Sequence, residues 1–156
     1  MVKTIQFRKR APMPVPGHVA TSLLSMFGRG YTHWAERAED TADGDLRVSG
    51  SVILGSLLGR DATNADLQYL IPRTEHQTWL DEDLLRKLYR VPRPLPFGYV
   101  VDAIAFFGAA CYRMKLKKDI DAKSWFMLGM REAFYTLTSK RPSKEQEDEM
   151  VYFALV

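Results

Sequence analysis

The stretch FGYVVDAIAFFGAACYRMKLKK, residues 97–118, runs almost without polar interruption from Phe97 to Tyr112 and then closes on Arg113, Lys115, Lys117 and Lys118. Pro92, Pro94 and Pro96 precede it, and Asp102 alone breaks its apolar run. As a helix, Phe97 to Tyr112 covers roughly 24 Å, short of the ~30 Å hydrocarbon core of a bilayer. A carboxylate near the bilayer centre would also cost a few kcal/mol. The stretch is therefore read as a buried core helix ending in solvated basic residues. Contact of that basic end with anionic headgroups remains open.

The flanking segments repeat the helical reading. Upstream, Thr78 and Asp81 stand in capping-box spacing before Leu84, Leu85, Leu88 and Tyr89, and Pro92 closes that helix. Downstream, Ile120 to Thr138 carries Trp125, Met127, Met130, Phe134 and Leu137 at helical spacing. Ser143 and Gln146 form a capping box for a last helix, with acids in its first turns where the helix dipole favours them. Further back, His18–Phe27 predicts a short helix ended by Gly28 and Gly30, with one or two more turns over Tyr31–Glu39. Asp45 is a candidate N-cap for a helix over Leu46–Leu58. In that helix Ser51, Gly55 and Gly59 fall four apart, a small-residue face that lets another helix approach closely. Thr63 and Asp66 form another capping box, in a helix over Asp61–Tyr69 that Pro72 stops.

Apart from a short strand suggested at Val2–Phe7, no segment alternates cleanly and no hairpin signal occurs. The fold class is thus all-α, a small domain of about six or seven helices. Residues 1–17 form an extended basic and Pro-rich arm, and residues 18–156 a single helical domain. An arm of this kind lies across a neighbouring subunit or stays unstructured until one holds it.

The net charge of +3 hides strong segregation. Residues 1–35 carry +5 with no acid, 36–83 carry −7, 84–118 carry +7 and 119–156 carry −2. Such blocks face one another within the fold or face partners. The basic residues Arg8, Lys9 and Arg10 of the arm, and Arg113, Lys115, Lys117 and Lys118, are therefore candidate partner contacts, as are the small residues Ser51, Gly55 and Gly59. An acid-poor, Arg-containing N-terminus has the composition of a mitochondrial targeting segment, although Pro12, Pro14 and Pro16 work against the amphipathic helix that such a segment needs. The other reading is a docking arm for an acidic partner or nucleic acid. Residues 1–16 lack the apolar region of a secretory signal.

Catalytic and cofactor motifs are missing from the pattern. His18, His33 and His76 share no ligand spacing, and Cys111, the single cysteine, reads as a buried small hydrophobe. There is no phosphate loop, no nucleophile elbow, and only Gly28-x-Gly30 of a dinucleotide fingerprint. The Asp81–Asp83 acids sit where a helix N-terminus explains them. No catalytic residue, cofactor or metal is assigned. The nucleic-acid alternative is a basic protein that binds through residues 1–10 and 113–118, with or without a helix-turn-helix at 54–70 in which Ala62–Leu70 is the recognition helix. That helix carries Asp61 and Asp66 and no base after Arg60, which is poor for phosphate contact. Leu88-Tyr89-Arg90 spells the tripeptide of the LYR-motif proteins, but Pro92 and Pro94 break the helix that those proteins continue.

Residues 81–92, an acidic-start helix ending in arginine, valine and proline, resemble subunit 7 of mitochondrial ubiquinol–cytochrome c reductase. The lysine-rich turn at Met114–Lys118, with Ile120, Lys123 and Trp125 following, extends the resemblance. The resemblance implies a helical, non-catalytic subunit of a respiratory-chain complex, held by other protein subunits on the matrix side of the mitochondrial inner membrane. The function expected is therefore that of an accessory subunit in a larger assembly.

Overall fold

A computed structural model describes residues 14–37, 40–71 and 82–155, and everything described is helix, turn or loop. The arm residues before Pro14 and the 72–81 segment, with the Thr78–Asp81 capping box and Val2–Phe7, lie outside the described residues. The helices are α1 (Gly17–Arg37), α2 (Asp40–Leu58), α3 (Asn64–Leu67), α4 (Glu82–Arg90), α5 (Phe97–Leu116), α6 (Lys123–Thr138) and α7 (Lys144–Leu155). A 3₁₀ turn at Ile120–Ala122 leads into α6. The all-α expectation holds, with seven α-helices among the described residues.

Helix α1 is the hub. It packs on α2, α5, α7 and α6, while α5 and α6 form the closest pair. It runs unbroken through Gly28 and Gly30, so the expected break there is corrected. These glycines mark close crossings. A Cβ on Gly28 would stand 2.7 Å from the Cys111 sulfur of α5, and one on Gly30 would stand 2.7 Å from the Leu46 backbone nitrogen of α2. The α1–α2 pair is antiparallel, with Gly30 on Leu46 and Phe27 beside Gly50. The α1–α7 pair is parallel, with Gly17 beside Gln146 and Gly28 beside Ala154.

The 97–118 helix forms as expected, over Phe97–Leu116, and buries Val100, Val101, Ile104, Phe107 and Cys111. Its two tightest contacts use glycines. Tyr31 of α1 lies against Gly108 so closely that no side chain would fit, and Gly129 of α6 seats against the Ala103 carbonyl and Phe107. Rings then fill the centre. Phe107 lies 5.0 Å from Phe126 and 6.5 Å from Phe27, and Phe106 meets Trp125 edge-on at 4.7 Å. Such pairs add ~1 kcal/mol each beyond their burial. Burial pushes the Tyr31 hydroxyl and the Cys111 thiol well above their usual ranges, so both stay neutral. Among the described residues no helix is long and apolar enough to cross a membrane. Asp102 is half-buried in α5, and desolvation raises its pKa.

Local signals account for the helix ends. Thr63 and Asp66 form the expected capping box (2.9 and 3.2 Å), as do Ser143 and Gln146 (2.9 and 3.1 Å). Ser139 closes α6 in the left-handed conformation at φ 63°. Asp45 is not an N-cap, because α2 begins at Asp40 and the Asp45 carbonyl accepts the Ser49 hydroxyl from inside the helix. Of the arm, Pro14–Pro16 is described, and the Val15 amide donates to the Leu137 carbonyl at the end of α6 (2.8 Å).

Candidate interaction surfaces

Two surfaces emerge from the helix faces, and a third group of charges proves to be internal bracing. The first surface is the outward side of α2. Leu46, Ser49, Gly50, Ile53, Leu54, Leu57 and Leu58 fill the inward side. A helix on a protein surface ordinarily sets charged residues opposite its buried stripe. From Leu46 to Gly59 this helix has one charged residue, Arg47. Val48 is 58% exposed and Val52 44% exposed. Beside them Ser51, Gly55, Ser56 and Gly59 line a shallow depression floored by Arg60–Ala62.

Among the described residues, a Cβ on Gly55 would meet the Arg60 and Ala62 backbone and no other helix. The close helix approaches use Gly28, Gly30, Gly108 and Gly129 instead. Gly59 has a separate reason to be glycine: its φ of 69° ends α2 in the left-handed region, which costs a side-chain-bearing residue roughly 1 kcal/mol or more.

The second surface is the turn between α5 and α6. Arg113, Lys115, Lys117 and Lys118 come together there as the sequence suggested, since they occupy the last turn of α5 and the residues after it. The amides of Lys117 and Asp119 both donate to the Arg113 carbonyl (3.1 and 3.0 Å), and Lys118 takes a φ of 54°. None of the four cations forms an ion pair with a described residue. The Lys117 ammonium stands 5.8 Å over the Tyr112 ring, and the Arg113 Nε is buried without a hydrogen-bond partner. The sequence reading missed Leu116 (38% exposed) and Ile120 (81% exposed) at this turn. The signal was available in the run Lys117-Lys118-Asp119-Ile120-Asp121, an isoleucine set wholly among charges. Arg8, Lys9 and Arg10 lie outside the described residues.

The bracing group holds the α4–α5 linker and α7 onto α6. Arg93 donates to Glu132 (2.7 Å) and to the Leu88 and Val91 carbonyls (2.7 and 2.6 Å). Arg131 forks onto both oxygens of Glu147 (2.8 and 3.1 Å), and this guanidinium holds the Glu147 carboxyl below its usual range. Arg60 forks onto Asp66 (2.7 and 3.2 Å) and holds that carboxyl at about 2. In the 54–70 segment, the proposed recognition helix is the single turn Asn64–Leu67, and its one nearby base is engaged by Asp66. That is too short to lay side chains along a major groove.

Among the described residues no three potential metal ligands converge. No protein-family model, curated protein or solved structure matches the chain.

Proposed function

We propose that the chain is a non-catalytic subunit of a larger protein assembly, seated against a neighbouring subunit through the outward side of α2. One observation carries this reading: after its first six residues the surface helix α2 has a single charge over thirteen positions, Leu46–Leu58, and two open valines flanked by small residues. Water is a poor partner for such a face, and a second protein surface removes it from water. The resemblance of residues 81–125 to subunit 7 of ubiquinol–cytochrome c reductase supports a finer version. In it the assembly is a respiratory-chain complex, and the site is the matrix side of the mitochondrial inner membrane.

Purification of the tagged chain under native conditions tests the proposal. Co-purifying protein subunits are expected, with crosslinks from α2 to one of them. Val52→Arg should release that subunit and leave the helical content of the chain intact. A lone stable monomer would overturn the reading. Retention on heparin that falls steeply with salt, without any protein partner, would favour the nucleic-acid alternative. Fractionation of mitochondria tests the finer version.

A further inference from the structure

We infer that the turn joining α5 to α6 docks on an anionic membrane surface, with Ile120 and Leu116 entering the headgroup boundary and the surrounding lysines meeting lipid charge. This surface is separate from the α2 face and does not depend on the assembly reading.

Ile120 is the starting point. Its side chain is 81% exposed, the most open large hydrophobic residue among those described. The turn does not need it. The backbone there is set by the two amides on the Arg113 carbonyl and by Asp119, whose Oδ1 accepts the Asp121 amide (3.1 Å). Leu116, the last residue of α5, is also open. The same short stretch, residues 113–123, carries Arg113, Lys115, Lys117, Lys118 and Lys123 against Asp119 and Asp121, a local excess of three positive charges, and Lys117, Lys118 and Lys123 are exposed. Cations at the end of α5 also suit the helix dipole. That explains Lys115 and Lys117, but it does not explain an isoleucine in water between them.

The shape decides between occupants. An acidic protein partner would need a pocket to receive Ile120 and carboxylates placed around it. A bilayer of anionic lipid needs only an exposed apolar side chain beside exposed cations, which is what Ile120 offers with Lys117, Lys118 and Lys123. The helix itself stays out, because α5 is packed into the core along Val100–Cys111 and none of the described helices can span. Each lysine brought to an anionic surface adds roughly fivefold to binding, and burial of one isoleucine side chain adds about tenfold.

The test is co-sedimentation of the full chain with vesicles of phosphatidylcholine alone and with vesicles containing roughly one-third phosphatidylglycerol. Binding is expected only to the anionic vesicles, and it should weaken as salt rises. Ile120→Ser should reduce it about tenfold. The pair Lys117→Ala and Lys118→Ala should reduce it about 25-fold. All three positions are exposed, so the variants should melt like the parent, which circular dichroism verifies. Val52→Arg should bind vesicles as the parent does, so the outcome is separable from that of the α2 face. The inference is overturned if neither vesicle binds the chain, or if Ile120→Ser binds like the parent and shows a purely electrostatic surface. It is also overturned if Ile120 matters only for capture of an acidic protein.

Discussion

Replacement of Gly129 by alanine should lower the melting temperature by about 4–8 °C, a figure that follows from the α5–α6 crossing. A Cβ at position 129 would collide with the Ala103 carbonyl oxygen, and it would stand 2.6 Å from the Phe107 Cβ and 2.9 Å from the Phe107 nitrogen. Two of those three atoms are backbone, so no rotamer change relieves the overlap. The helices must part, and overpacking of a well-filled core costs typically 1–3 kcal/mol; the backbone partners place this case at the upper end, about 3. Against it, alanine is preferred to glycine inside a helix by ~1 kcal/mol. The net loss is about 2 kcal/mol, and in a domain of this size each kcal/mol moves the midpoint by ~2–4 °C. The control is Gly44→Ala in α2, where an added Cβ meets nothing within 4 Å. There only the propensity remains, and the midpoint should rise by a few degrees. Thermal melts by circular dichroism read both. If Gly129→Ala melts at or above the parent, or if both glycines respond alike, the close crossing is refuted.

Three other perturbations address charge. Asp66→Asn should destabilise the protein at neutral pH. The Arg60 guanidinium holds the native carboxyl at about 2, against ~3.9 in the unfolded chain, so the contribution is complete above about pH 4 and disappears as pH falls through about 2. The melting gap between parent and variant should close over that interval, and a gap that persists at the acid end would contradict the assignment. Asp102→Asn has the opposite sign. Burial raises the native pKa of Asp102, so its ionised form is a cost at neutral pH that protonation relieves; the variant should be more stable at pH 7 and equal to the parent below about pH 4. Arg93→Ala should cost about 2 kcal/mol in urea unfolding, since it removes one cation from Glu132 and from two carbonyls. Unfolding midpoints identical to the parent would show that this bracing is idle.

The elements that could be read in the sequence are those whose ends carry their own chemistry. Ser143 with Gln146, Thr63 with Asp66, and Pro92 after Arg90 mark boundaries by hydrogen bonds or by a missing donor, all within a few residues. Glycine carries no such mark. Gly28 and Gly30 suggest a helix end because glycine commonly follows one, yet their role is to admit Cys111 from distant α5 and Leu46 from the next helix, α2. Nothing local distinguishes the two uses. The same gap explains α2. Its small residues were visible, but which side of the helix would meet α1 depends on Gly30 and Phe27, far upstream. Charge was legible at the α5 end because Arg113, Lys115, Lys117 and Lys118 lie together in sequence. The exposure of Ile120 was marked as well, by Lys118, Asp119 and Asp121 around it, but its place at the start of a helical segment made it read as core. Pairings such as Arg93 with Glu132 and Arg131 with Glu147 join residues that only the fold brings together.

The burial of Cys111 has a use outside packing. It is the sole thiol in the chain, it is fully covered, and the backbone of α1 at Gly28 lies directly over its sulfur. A maleimide or disulfide reagent can reach it only when the packing around it opens, and parting of α1 from α5 would uncover it. The labelling rate in native buffer is therefore a clock for that opening, readable without any engineered probe. Set beside global unfolding, it would show whether this packing opens before the rest of the fold gives way or together with it.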